Sequence, residues 1–394
     1  MGIGECRKKD EYLARVSYSS DKFRLSEYPL LLEFYQRVRM ERFAGGRSPV
    51  FVPRMSCTGQ GEVRTVGILE LLLCTAVVLI LSALVEVGSV HAWHQQVPTT
   101  PQNSDGYIET VDGVQLFYRT KGVGLDTVVV LHGGPGLNLD YLAPDLKPLE
   151  ESRTIIYYDQ RGAGRSTVLS DASSLHIDAH ISDLEAVRTY FGIDRLTLLG
   201  HSWGAMLAAR YAREHPGRVS RVIKVSPGPI RIDPYDSQFF PRVTAWMDST
   251  TVAEVQALQE RYQQADNDVD TACRNFFDLF KRGYFYDPTD LEAFQRLRGD
   301  FCTAPEPAIR NFWTVNALTL QSVGEFDWRE DFRDLTLPVL VITGVSDVFP
   351  PQNYREWEAA FPDADLILLE GAGHYPHVEQ PEAFFGAVDA FLRE

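Results

Sequence analysis

Gly200-His201-Ser202-Trp203-Gly204 follows the apolar run Leu196-Thr197-Leu198-Leu199 and leads into Ala205-Met206-Leu207-Ala208-Ala209-Arg210-Tyr211. The run before it has strand character, and the run after it is made of good helix formers. The stretch reads as strand, tight turn and helix, with a serine at the apex. A strand packed straight into a helix leaves no space for side chains beside the serine, which explains glycine two residues before and two after it. Strain holds the hydroxyl out over the sheet edge, at the N-terminus of the helix, where the dipole favours developing negative charge. A serine in an ordinary strand-to-helix turn is the plainer alternative for this stretch alone.

Upstream, Thr127–Leu131 reads as a buried strand running into His132-Gly133-Gly134-Pro135-Gly136. Glycines without Cβ atoms let backbone N–H groups approach a substrate oxygen, so this loop is a candidate half of an oxyanion hole. The N–H of Trp203, just after the serine, is the candidate for the other half. A hairpin with an Asp112-Gly113 turn precedes this strand (107–111 and 114–119). The strand 153–158 follows, with the loop Asp159-Gln160-Arg161-Gly162-Ala163-Gly164-Arg165-Ser166. There Asp159 and the arginines are expected to fix a turn, with Ser166 as a turn residue and not a second nucleophile. A helix over 176–191 should bury Ile181, Leu184, Val187 and Tyr190, and the strand Val219–Val225 follows the serine's helix.

Regular alternation stops at about 228. Residues 228–333 have helical spacing and many aromatics, for example 252–262 and 273–280, and read as a helical cap inserted before the strand 337–344. Asp347 comes just after that strand. The last strand, 366–369, leads to Gly371-Ala372-Gly373-His374, and a closing helix over 381–392 turns Phe384, Phe385, Val388 and Phe391 inward. Asp347 and His374 thus stand at carboxyl ends of strands, where α/β folds place working residues. Ser202, Asp347, His374 is the chain order of an α/β-hydrolase triad, with His374 as the proton carrier and Asp347 as its orienting partner. His377 lacks the preceding turn, His201 should point away from the hydroxyl, and Asp363 and Asp365 precede their strand. The fold class is α/β: a mostly parallel sheet with helices on both faces, in two core parts (93–227 and 334–394) split by the cap.

A 394-residue chain with 44% apolar and 23% charged residues is an ordinary globular size and composition. Its net charge of −16 argues against a nucleic-acid partner. Residues 1–64 hold 12 Lys+Arg against 8 Asp+Glu, a net +4, so the remainder carries −20. The run 66–85 is apolar enough to span a bilayer. With Arg64 before it and Val90-His91-Ala92 after it, a signal peptide cleaved after Ala92 is the leading reading. An uncleaved anchor and a buried helix are the alternatives. Met55 would start a conventional signal, leaving 1–54 as an over-extended start or a tail, and 93–106 reads as a linker. Cys6, Cys57, Cys74, Cys273 and Cys302 form no metal-ligand pattern. Cys273 and Cys302, both in the cap, would pair in an exported protein; two buried thiols are the equal alternative.

HGGPG at 132–136, DQRGAGRS at 159–166, GHSWGAMLA at 200–208 and GAGH at 371–374 resemble the proline iminopeptidase family of α/β-hydrolases, over roughly 105–394. The resemblance implies a cofactor-free serine hydrolase that removes an N-terminal residue, often proline, from peptides. It implies Ser202, Asp347 and His374 as triad, and Trp203 with Gly134 as oxyanion donors. The family binds the substrate's free amine through cap glutamates, one in a W-x-x-W-E segment. The comparable stretch here, Ala245-Trp246-Met247-Asp248, lacks that glutamate, so Asp248, Glu325 and Glu330 are the substitutes the sequence offers. The expected partner is a short peptide or small acyl substrate, with an esterase or amidase as the second reading. A non-catalytic binding protein is the reading from another class, and an intact triad argues against it. Ser202 at the elbow, in place of an aspartate, disfavours an epoxide hydrolase or haloalkane dehalogenase.

Overall fold

In the computed structural model, residues 103–169, 172–265 and 268–394 are described. Continuous Val/Ile/Leu runs fold as strands covered on both faces, the pattern parallel sheets require. The strands are β1 (Asp105–Glu109), β2 (Gln115–Gly122), β3 (Thr127–Leu131), β4 (Thr154–Tyr158), β5 (Leu196–His201), β6 (Val219–Val225), β7 (Val339–Gly344) and β8 (Ala364–Leu369). They form one sheet in the order β1-β2-β4-β3-β5-β6-β7-β8. The β1 and β2 pairings are antiparallel, and every pairing from β4 across to β8 is parallel. The mostly parallel sheet expected from the sequence is the one observed.

Two helices lie between strands of the first core part, α1 (Ile177–Tyr190) and α2 (Trp203–Glu214). Between β6 and β7 the chain leaves the sheet for α3 (Tyr235–Thr244), α4 (Ser249–Gln263), α5 (Val269–Phe280), α6 (Leu291–Arg296) and α7 (Glu306–Val323). It then returns through α8 (Pro351–Ala360), the short α9 (Pro376–Glu379) and α10 (Pro381–Arg393). Successive strand residues face opposite sides. Val129 and Leu131 pack with Leu184, Leu207 and Trp357 of α1, α2 and α8. Val128 and Val130 pack with Phe384 and Val388 of α10 and with the cap. Phe391 is buried with them, and Phe385 is half-buried.

Two local expectations fail. The hairpin has no two-residue Asp-Gly turn: Glu109 pairs with Gln115, leaving five residues between the strands. Thr110 takes over the turn, its Oγ1 accepting the Val114 N–H at 3.0 Å and donating to Asp112 Oδ1 at 2.5 Å. Tyr190 is 49% exposed, because α1 ends there; its ring lies against Tyr118, with hydroxyls 3.2 Å apart. The segments 1–65 and 66–92, and the linker up to residue 102, lie outside the described residues. Among the described residues no helix is long and apolar enough to cross a membrane.

Two features of the interior bear on stability. Cys273 of α5 and Cys302 are joined by a disulfide, with Cα atoms 5.9 Å apart, which settles the alternative the sequence left open. Lys224, next to the last residue of β6, is fully buried and has no carboxylate partner among the described residues. Its Nζ donates to Ala205 O at 2.8 Å and lies 3.4 Å from the Trp357 ring centroid. Burial pushes its pKa well below the ordinary lysine value.

Each feature generates a prediction. The disulfide closes a loop of 29 residues, so replacing both cysteines by serine should cost about 3–4 kcal/mol of unfolding free energy in denaturant melts. Lys224→Met should stabilise the fold by about 1–3 kcal/mol at pH 7, since it removes a poorly solvated amine. A lysine with a depressed folded pKa binds fewer protons folded than unfolded, so the wild type gains stability as pH rises from that folded pKa toward 10.5. The advantage of the methionine variant in thermal melts should therefore shrink between pH 7 and pH 10. An advantage that grows with pH would contradict the assignment.

Candidate active site

The turn between β5 and α2 has the expected form. Ser202 adopts φ 55° and ψ −118°, the conformation of an L-residue forced by its surroundings. A Cβ on Gly200 would lie 2.3 Å from Gly204 O, and one on Gly204 would lie 2.2 Å from Leu131 O. Both positions therefore require glycine. The Ser202 N–H donates to Val225 O at 3.0 Å, which ties the turn to the next strand.

The glycine-rich loop after β3 runs beside the serine: a Cβ on Gly133 would come within 3.2 Å of Ser202 Cβ. Both ends of Gly133 are pinned. Its N–H donates to Tyr141 Oη at 2.7 Å, and its carbonyl accepts from His132 Nδ1 at 2.8 Å. Because the peptide unit is planar, fixing the Gly133 carbonyl fixes the direction of the Gly134 N–H. His132 Nε2 accepts the Gln160 N–H, and the Gln160 side chain bridges His132 O and Trp203 Nε1. Burial lowers the His132 pKa to about 4, so the ring stays neutral in this role. Among the described residues the N–H groups of Gly134 and Trp203 have no protein acceptor.

The loop after β4 is structural. Asp159 accepts the N–H groups of Leu139 and Arg165 at 2.7 and 2.8 Å, and burial raises its pKa to about 7 against those bonds. Arg161 makes a two-pronged pair with Asp183, at 2.7 and 2.6 Å. Ser166 donates to Asp159 O at 2.6 Å and accepts the Phe117 N–H at 2.9 Å, so it is a buried turn residue.

Asp347 and His374 meet across the ends of β7 and β8. His374 Nδ1 donates to Asp347 Oδ1 at 2.8 Å, and Thr343 Oγ1 donates to Oδ2 at 2.5 Å. Burial would push the aspartate upward, but His374 and the hydroxyls of Thr343 and Ser226 outweigh it and hold the pKa at about 2. His201 points away from the serine hydroxyl: its Nδ1 accepts from Tyr141 Oη at 2.6 Å and its Nε2 donates to His374 O at 3.0 Å. His377 is buried with neither ring nitrogen bonded, and Asp363 and Asp365 are exposed.

The cap supplies groups that sequence reasoning missed. Arg242 of α3 donates to the carbonyls of Asp347 and Val348 at 2.8 and 3.0 Å. Tyr284 O accepts the His374 N–H at 2.6 Å, and Glu379 of the core helix α9 bridges the N–H groups of Tyr286 in the cap and Gly373 at 2.7 and 2.8 Å. Asn316 of α7 donates to Pro135 O at 3.0 Å. None of these carries a local motif; each contact depends on how the cap folds back on the core.

Ser202, His374, Gly134 and Trp203 line one cavity of about 360 Å³. Fourteen of its 32 lining residues are Phe, Tyr or Trp, among them Phe239, Phe276, Phe280, Phe312 and Trp313. Asp248 and Glu325 are not in it. Asp248 is the N-cap of α4, exposed, with its carboxylate accepting the Thr251 N–H at 2.8 Å. Glu325 is exposed beyond the end of α7, and Glu330 pairs with Arg333. Among the described residues the carboxylate that lines the cavity is Asp236, exposed in the first turn of α3.

The chain is 28% identical over 292 residues to a proline iminopeptidase of Heyndrickxia coagulans, covering 73% of this chain and 98% of that one. It is 27% identical over 307 residues to a proline iminopeptidase of Saccharolobus solfataricus, covering 73% and 92%. The crystal structure of a Mycobacterium smegmatis proline iminopeptidase superposes with a TM-score of 0.56 at 25% identity, over 74% of this chain and 98% of that one. An esterase from Exiguobacterium antarcticum, at 22% identity, shares the fold with the same TM-score over 74% of this chain and 100% of that one. A family model described as the alpha/beta hydrolase fold matches residues 126–381, and the chain belongs to that family.

Proposed function

We propose that the protein is a serine hydrolase that works through an acyl-enzyme on Ser202 and releases the N-terminal residue, proline foremost, from short peptides. The observation that carries this reading is the His374–Asp347 hydrogen bond in a cavity that also holds Ser202 on its strained elbow. Similarity to proline iminopeptidases supports the choice of substrate.

Ser202 Oγ attacks the scissile carbonyl carbon and passes its proton to His374 Nε2. The carbonyl oxygen becomes an oxyanion held by the N–H groups of Trp203 and Gly134, each worth about 3 kcal/mol to the transition state. As the C–N bond breaks, His374 gives the proton to the departing amine. Water then attacks the acyl ester, His374 takes its proton, and Ser202 leaves with a proton restored. Asp347, held ionised, keeps the imidazole in one tautomer and stabilises its cationic form. The substrate's free amine meets Asp236 in place of the family's cap glutamates.

The aromatic wall of the cavity favours a second reading, an esterase or amidase on uncharged acyl substrates. Export is also part of the proposal, supported by the Cys273–Cys302 disulfide, a bond that persists in oxidising compartments.

A fluorophosphonate probe should label the wild type and Ser166→Ala but not Ser202→Ala; labelling of Ser202→Ala would remove the nucleophile. Asp347→Asn should lower kcat on the order of 10⁴-fold while melting like the wild type. Proline-β-naphthylamide should be turned over faster than its N-acetylated form, and Asp236→Asn should narrow that gap. Turnover of a short-chain p-nitrophenyl ester alone would favour the second reading.

A further inference from the structure

Among the described residues, the charged side chains in the cavity wall are Asp236 and Lys281. Lys281 opens the turn Lys281–Tyr284 that follows α5. Among the described residues its ammonium makes no ion pair or hydrogen bond; it lies 5.8 Å from the Phe294 ring centroid and feels the charges of Asp278, Asp300 and Asp145 from farther off. The carboxylates around it are committed or turned to solvent. Asp300 accepts Arg274 Nε at 3.1 Å and the Cys302 N–H at 2.9 Å. Asp145 accepts the N–H groups of Arg298 and Gly299 at 3.0 Å each, and Asp278 is exposed. Half-burial among aromatic rings is costly for this cation: it pushes the lysine's pKa below its ordinary value, and the charges of Asp278, Asp300 and Asp145 offset that only in part. An anionic ligand group would relieve that cost.

The position of the lysine says which part of a substrate brings the anion. Tyr284, three residues on, accepts the His374 N–H through its carbonyl, and its ring centroid lies 5.2 Å from that of His374. His374 delivers the proton to the departing amine, so this turn flanks the leaving-group side of the scissile bond. When an N-terminal residue is released from a dipeptide, the leaving group is an amino acid bearing a free carboxylate. We infer that Lys281 binds the C-terminal carboxylate of the leaving residue, which makes the enzyme selective for di- and tripeptides with free C-termini. This assignment rests on the proposed peptidase reading.

Prolyl-alanine and prolyl-alaninamide, compared by kcat/KM, separate the possibilities. The wild type should prefer the free acid by roughly 10-fold, the scale of one hydrogen-bonded charge pair. Lys281→Met should bring that ratio close to one, and Lys281→Arg should keep it. A ratio is insensitive to the fraction of a variant that folds. Equal rates on both dipeptides in the wild type, or an unchanged preference in Lys281→Met, would overturn the assignment while leaving the peptidase reading in place. Hydrolysis of a p-nitrophenyl ester with neither dipeptide cleaved would overturn both.

Discussion

Ser202 holds φ 55° and ψ −118°, a conformation that costs on the order of 1–3 kcal/mol and persists only where the surroundings over-determine it. Three contacts do so here. Gly200 and Gly204 bring the strand and helix within a distance that admits no Cβ, Gly204 lies against Leu131 at the end of β3, and the Ser202 N–H is fixed by Val225 of β6. The turn therefore depends on three adjacent parallel strands being in register. That register is set by the continuous apolar sequences of β3, β5 and β6, so the placement of Ser202 follows from the packing of the core.

The two loops that flank the serine are tied to each other as well as to the sheet. A chain of hydrogen bonds runs from the Gly133 N–H to Tyr141 Oη, from Tyr141 Oη to His201 Nδ1, and from His201 Nε2 to His374 O. The His374 carbonyl can only accept, so neutral His201 carries its proton on Nε2, and its bare Nδ1 takes the Tyr141 proton while Tyr141 Oη accepts the Gly133 N–H. Burial supports this by pushing the phenol upward and the imidazole well downward from their ordinary values. The network is neutral throughout and leaves no ambiguity in proton position. It holds the glycine loop and the histidine loop at a fixed spacing across the elbow.

The parts of the site that were legible in the sequence share one physical cause. Parallel strands end in loops on the same side of a sheet, so Ser202, Asp347 and His374 could each be placed by finding the apolar run before it. Ser166 and His201 were also read correctly, because their loop context fixed their direction. The cap resisted the same treatment. Asp248 looked like a site residue beside Trp246, but its place at a helix boundary makes it an N-cap, the commonest use of an aspartate there. Glu325 lies exposed past the end of α7, while Asp236, also exposed and with no motif around it, lies at the cavity wall. A spacing of 29 residues between two cysteines says nothing of their distance, so the disulfide appeared only with the helices in place. Helix order in an inserted domain is set by long-range packing, which local periodicity does not encode.

That difference bears on how catalysis and specificity are divided. In a simple division the core would hold the chemistry and the cap would choose the substrate. Here the cap reaches the catalytic loops directly: Arg242 holds the backbone around Asp347, Tyr284 holds that of His374, and Asn316 holds the glycine loop at Pro135. Backbone groups of three core loops are thus hydrogen-bonded to three separate cap segments. The disulfide clamps α5, which supplies Phe276 and Phe280 to the cavity, to the segment that supplies Phe301. A change in the cap that repacks the wall must also move the groups that hold Asp347 and His374. On the proposed reading, substrate choice and reaction rate would be coupled through these hydrogen bonds, and a new cap would have to rebuild the backbone contacts of the site along with its walls.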